Sequence, residues 1–183
     1  MKKKSAIVIA GMFVMFSAAL MPQAVNAQSQ KQEKITDDSK EAKAAFLKSD
    51  PSMANLFKSA YGYAIFPNVG KGAAGVGGAA GNGTVFEKGK AIGTAQMVQV
   101  TVGAQVGGQA YREVIFFQNK EALERFKSDK VEFSGQASAI AAETGASANA
   151  NYRDGVVVFS QEKGGLMLEA SLGGQKFNYK NLE

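Results

Sequence analysis

Between Phe66 and Val85 the chain reads FPNVGKGAAGVGGAAGNGTV, with glycine at 70, 72, 75, 77, 78, 81 and 83. Glycine at this density destabilises a helix, because each one loses more backbone freedom on folding than any other residue. It also leaves an ordinary strand with nothing to pack. The composition suits strands that bend sharply or lie close against another backbone, as in a small, tightly curved sheet.

The flanking residues continue in the same style. Glu87-Lys88-Gly89-Lys90 has the make-up of a hairpin turn, and Val98, Val100 and Val102 alternate with Gln99 and Thr101. That period of two marks a half-buried strand. Gly103, Gly107 and Gly108 mark a further bend, and Tyr111–Gln118 forms a strand around the apolar centre Val114-Ile115-Phe116-Phe117. Asn119 caps a short helix over 120–128, with Ala122, Leu123 and Phe126 facing inward. Later strands are expected around Ala137–Ala141, Val156–Gln161, Leu166–Leu172 and Phe177–Tyr179. Asp38 and Glu41 have capping-box spacing, which predicts a helix over 39–48. Asp50-Pro51 restarts it, with Asp50 as N-cap and Pro51 at the first helical position, and Met53, Leu56, Phe57 and Ala60 follow at helical spacing. Helices at the start followed by strands and turns give an α+β fold, with N-terminal helices on a curved, glycine-rich antiparallel sheet. A small β-barrel is one form such a sheet can take.

The first 27 residues have a different character. Lys2, Lys3 and Lys4 precede an uncharged apolar run, Ala6–Leu20, and Val25-Asn26-Ala27 supplies small residues before Gln28. That is the layout of a secretory signal peptide. The run is shorter than the roughly 20 residues a membrane-spanning helix needs. Residues 28–37 read as a flexible leader and 38–183 as one domain. Loss of the three signal lysines leaves 18 basic against 16 acidic residues, a net charge of +2. So small a charge predicts no general affinity for nucleic acid. No cysteine is present, so the exported protein is expected not to be a lipoprotein and to be periplasmic or extracellular.

Histidine is absent as well. Without His and Cys there is no Ser-His-Asp triad, no Cys-His pair and no ordinary zinc or copper site. Gly70-Lys71-Gly72-Ala73-Ala74-Gly75 matches the dinucleotide fingerprint by spacing, but that motif needs its last glycine to open a helix. Further glycines at 77, 78, 81 and 83 forbid one. Asp37-Asp38-Glu41 and Asp154-Gly155 lack the dense oxygen ligands of a calcium loop, and read as a solvated helix start and a turn. Glu113 and Glu132 are carboxylates that no pattern brings together. No enzyme, cofactor, metal or nucleotide is expected.

One constellation remains. Lys40, Lys43, Lys48 and Lys58 lie along helices that also carry Phe46, Leu47, Leu56 and Phe57. Helices with apolar and basic sides can lie in a membrane interface and attract anionic lipid. The same pattern also fits a helix packed on the sheet with a solvated outer face.

Tyr63–Gly72, with its Phe66-Pro67-Asn68-Val69-Gly70-Lys71-Gly72 core and the glycine series after it, resembles the SYLF domain family. Gly103–Gly107, Val114–Asn119, Ala137–Gly145 and Gly164–Gly174 fall in that family's order. The resemblance implies a lipid-binding module without catalysis. Eukaryotic members bind phosphoinositides through an N-terminal amphipathic helix and basic residues, and some bind actin. The matching stretch here is 39–59, where Glu41 interrupts the basic side. The resemblance thus implies a non-catalytic protein of the bacterial cell envelope, docking peripherally on anionic lipid. Lys40, Lys43, Phe46, Lys48, Leu56, Phe57 and Lys58 are the expected contacts. The alternative is a structural or interaction protein that self-associates or binds a protein partner.

Overall fold

The structure, a computed structural model, describes residues 21–74, 76–101, 109–129, 138–163, 170–171 and 174–182. Two helices come first, α1 (Met21–Ser49) and α2 (Met53–Ser59). Four strands follow: β1 (Gly62–Ala74), β2 (Val76–Glu87), β3 (Lys90–Thr101) and β4 (Gln109–Phe117). Helix α3 (Lys120–Lys127) leads to β5 (Ser138–Ala141), a 3-10 turn (Ala146–Asn149), β6 (Val156–Glu162), β7 (Ala170–Ser171) and β8 (Gln175–Asn181). The eight strands form one sheet in the order β7-β5-β6-β4-β1-β2-β3-β8. The α+β reading is borne out. Two refinements follow: β5 and β6 pair in parallel, and among the described residues the sheet does not close into a barrel.

Proline cannot donate to a ladder, so a strand that reaches Pro67 should end there. Instead β1 runs on to Ala74 in the middle of the sheet, between β4 and β2. A bulge makes this possible. Ile65 faces Thr84 and Asn68 faces Asn82, so Phe66 and Pro67 stand opposite the single residue Gly83. The same irregularity appears against β4, between Phe66 and Val69. Bulges are where a central strand tolerates proline. The extra residue also reverses the alternation, so Ala64, Phe66 and then Val69 all enter one core cluster.

The sheet is buried on both sides. One cluster holds Phe66, Val69, Met97, Ile115, Phe117, Phe126 and Phe177. The other holds Phe46, Met53, Tyr63, Ile65, Phe86, Phe116 and Phe159. A continuous apolar run such as Val114–Phe117 is what a strand covered on both faces requires, and all four residues are wholly buried. Helix α3 covers the first cluster. Its N-cap Asn119 accepts from the Ala122 amide at 2.9 Å, and Phe126 packs on Phe117 and Phe177 at ring separations of 5.0 and 4.8 Å. Gln175 on β8 donates to buried Glu113 on β4 at 3.1 Å. These strands are not neighbours in the sheet, so the sheet curls until its β8 edge reaches across to its middle.

Helix α1 covers the other face and meets it at the bulge. The Ser39 hydroxyl donates to the Ile65 carbonyl at 3.2 Å and contacts the Thr84 hydroxyl at the same distance. Ala42 and Phe46 follow on the same side, both buried. The helix differs from expectation at its start. Asp38 sits in its interior, and residues 28–37, read as a leader, are helical. Residues 27–34 are nearly all exposed, so this polar stretch carries no apolar stripe for periodicity to detect. Local pairs support it, with Lys34 bonded to Asp38 and Lys40 to Asp37. The expected Lys2–Leu20 signal regions lie outside the described residues, as do Gly103–Gly108, Glu132 and most of Leu166–Leu172.

The glycines are not equivalent. A Cβ on Gly83 would collide with the Ile65 carbonyl and lie 2.8 Å from the Phe66 ring. At Gly70 it would meet nothing within 4 Å. Gly83→Ala should therefore destabilise the fold by about 2–4 kcal/mol, whereas Gly70→Ala should stay within about 0.5 kcal/mol. Urea denaturation of both variants checks this. Equal effects would show that the bulge does not constrain Gly83.

Candidate functional site

The junction between α1 and α2 fixes where the second helix points. Asp50 ends the first helix and was expected to cap the next; Ser52 holds that position, without a side-chain cap. Asp50 instead reaches across to the 3-10 turn. It is fully buried and accepts from the amides of Ser52, Gly145 and Ser147 at 3.0, 3.1 and 2.8 Å. It also accepts from the Ser52 hydroxyl, which lies 2.7 Å from that of Ser147. Burial alone pushes this carboxyl upward, but the donors of Ser52, Ser147 and Gly145 outweigh it and hold it well below the usual carboxylate range.

From this anchor α2 lays Met53 into the core, with Leu56 and Phe57 half-buried against it. Phe57 packs edge-on to Tyr63 and Phe116 at 5.1 and 4.8 Å. The Lys43 ammonium lies 4.5 Å from the Phe57 ring centre and 5.0 Å from that of Tyr63, and donates to the Tyr63 hydroxyl at 3.1 Å. A lysine held over two aromatic faces is stabilised by their negative quadrupoles.

The expected contact residues thus separate into groups. Phe46 has no exposed surface and belongs to the core. Leu56 and Phe57 are half-buried, and Lys43 is bracketed by rings. Lys40 is paired with Asp37. Lys48 and Lys58 are exposed and enter no ion pair among the described residues. Asp37 and Asp38, considered for calcium, are each engaged by a lysine.

Beyond Lys58 the surface opens into a recess of about 540 Å³. Its walls are the end of α2, the β2–β3 turn and the end of β4: Phe57, Lys58, Ser59, Tyr61, Lys88 and Gln118, with Ala60 and Gly89. Sequence reasoning found Phe57 and Lys58 but not Tyr61, Lys88 or Gln118. The hairpin Glu87-Lys88-Gly89-Lys90 was legible, with Glu87 facing Lys90 in the ladder; its apposition to α2 was not. Both charged residues in the lining are lysines. The nearest carboxylate on the strand, Glu87, is held by the Tyr61 hydroxyl at 2.6 Å. That bond, with burial and the charges of Glu87, Glu124 and Glu121, keeps the phenol protonated by raising it above its ordinary range.

Comparison with known proteins bears on this arrangement. Residues 98–181 match the model of the Ysc84 family, described as Las17-binding protein actin regulator. These residues are similar to that family's domain. The SYLF resemblance is thereby borne out. The family is one of binding domains rather than enzymes. The Ysc84 match runs from β3 into β8, so Gln118 lies within it, while α2 and Lys88 precede it. Beta cell expansion factor A of Aeromonas veronii is 28% identical over 137 residues, covering 69% of this chain and 49% of its own length. The chain therefore spans about half the length of that relative. Among the described residues, no helix is long and apolar enough to cross a membrane.

The Asp50 carboxylate gives a pH signature. Its folded value lies below the roughly 3.9 of an unfolded aspartate, so its contribution is complete above that value. It is lost as pH falls through the folded value. Chemical denaturation between pH 7 and pH 2 should show stability falling below about pH 4. Asp50→Asn should cost about 2–3 kcal/mol at pH 7, because buried amides lose a charged acceptor. The variant should also flatten the acid limb. An unchanged acid limb would mean Asp50 is not the group responsible.

Proposed function

We propose that this protein is a non-catalytic, peripheral binder of anionic lipid in the bacterial cell envelope. The observation that carries the reading is the charge distribution around α2. Lys48 and Lys58, exposed and in no ion pair among the described residues, flank the half-buried Leu56 and Phe57 in the sequence, and α2 itself contains no carboxylate. The family supports binding rather than chemistry, and the signal-like N-terminus supports export. Contact is electrostatic first. Lys48, Lys58 and more weakly Lys40 meet headgroups, the edges of Phe57 and Leu56 touch the interface, and Lys43 steadies the Phe57 ring. Phe46 supports this surface from beneath, since inserting it would empty a core site.

Each lysine near an anionic surface contributes about 1 kcal/mol. Lys48→Ala with Lys58→Ala should thus weaken binding to phosphatidylglycerol-containing vesicles by roughly thirtyfold. Salt at about 0.5 M should weaken it further by screening. Flotation against neutral phosphatidylcholine vesicles measures both effects. Equal binding to the two vesicle types would refute electrostatic docking. Lipid-indifferent, concentration-dependent oligomers would favour self-association instead.

A further inference from the structure

The recess contains a departure from the chain's own turn chemistry. Two tight turns, Lys88-Gly89 and Asp154-Gly155, place both residues at positive φ: 48° and 81° in the first, 49° and 77° in the second. Turns of this kind favour Asn, Asp or Gly at the first position, since a Cβ is strained there unless a short polar side chain bonds locally. Asp154 conforms. Among the described residues, three non-glycine positions have positive φ, and Asp129 and Asp154 are the other two. Only Lys88 carries a long side chain. Local rules are broken where function requires it.

The position gives that lysine a defined place. Its amide donates to the Tyr61 carbonyl at 3.0 Å, and its ammonium lies 5.4 Å from the centre of the Tyr61 ring. It shares the recess with Lys58. Ser59 and Gln118 also line the recess, and their side chains carry hydrogen-bond donors. Of the carboxylates whose charge reaches Tyr61, Glu87 is engaged by Tyr61 and Glu124 by Lys127 at 2.9 Å, while Glu121 stands on α3 outside the lining. Two lysines sharing one recess without a lining carboxylate repel each other until an anion sits between them.

We infer that the recess seats the phosphate group of an anionic lipid headgroup, with Lys58 and Lys88 as its charged contacts and Phe57 and Tyr61 as flanking walls. The inference rests on the lipid-docking reading and adds a specific subsite to it. A volume of about 540 Å³ falls in the range of small-molecule sites and exceeds what a bare phosphate fills.

Lys88→Asn tests this without a folding ambiguity, because asparagine suits the turn better than lysine. Its melting temperature should equal or exceed that of the wild type. Its affinity for phosphatidylglycerol vesicles should fall at least fivefold. Lys90→Asn removes the same charge from the neighbouring strand outside the recess and should stay within twofold. Amide shifts at Ser59, Lys88 and Gly89 should saturate with short-chain phosphatidylglycerol. If Lys88→Asn binds vesicles as the wild type does, the subsite is wrong while general docking stands. If the wild type ignores anionic vesicles, the docking reading fails and the lipid subsite with it. Saturation of those amides by inorganic phosphate, without vesicle binding, would overturn the lipid source and assign the recess to free phosphate.

Discussion

The bulge at Phe66-Pro67 is the constraint on which the rest of the structure depends. Proline in a central strand removes a ladder donor, and only a local extra residue accommodates the loss. Here that residue has three consequences. It shifts the alternation of β1, so that Phe66 and Val69 enter the same cluster. It leaves the Ile65 carbonyl for the Ser39 hydroxyl, which docks α1 on the sheet at that point. It also brings the β1 backbone so close to β2 that Gly83 has no room for a side chain. The Phe-Pro pair and the glycine 16 positions later are therefore two halves of one packing arrangement.

The curl of the sheet builds on this tight pairing. Gly93 extends the pattern to the other side of β2, because a Cβ there would run into the Tyr179 ring and lie 2.5 Å from the Lys180 carbonyl. Close strand contacts let β8 swing inward until Phe177 meets Phe66 at 5.8 Å and Gln175 meets Glu113. The curl gathers the aromatic residues of α3, β4 and β8 at one end. The β2–β3 turn, the end of β4 and the end of α2 converge at that same end and form the recess.

Much of this was legible in the sequence because it rests on local signals. Val114–Phe117 reads as a doubly buried strand, Asn119 as a cap, and Lys88-Gly89 as a turn, since each needs only a few neighbouring residues. The length of α1 was not legible. Its polar first half has no apolar face, and helix there depends on continuity with residues 39–49 and on pairs such as Lys34–Asp38. Asp50 was recognised as the start of the second helix, but its carboxylate accepts from amides 95 and 97 positions away, which no local pattern reveals. Lys88 escaped notice for the same reason. A lysine in a hairpin turn looks solvated until the fold places Tyr61 and Lys58 beside it. The seven residues expected to contact lipid were read as the apolar and basic sides of the leading helices; packing divides them into buried Phe46, half-buried Leu56 and Phe57, engaged Lys40 and Lys43, and Lys48 and Lys58, which enter no ion pair among the described residues.

That division bears on the kind of binding the domain can support. A sheet buried on both sides consumes nearly all large apolar side chains, and Val98 is the one large hydrophobic residue exposed among those described. Deep insertion of the α1–α2 face would have to remove Phe46 or Met53 from close packing, at about 2–5 kcal/mol for each site emptied. Lys48 and Lys58 together contribute about 2 kcal/mol, no more than the least cost of emptying one such site. On the proposed reading the domain therefore keeps its fold at the membrane and binds through charges and ring edges, with the recess supplying selectivity. Such contact is reversible and sensitive to salt, because the attraction acts across water. The glycine-rich strands contribute indirectly, by holding α2 and the β2–β3 turn in register so that Lys58 and Lys88 share one recess.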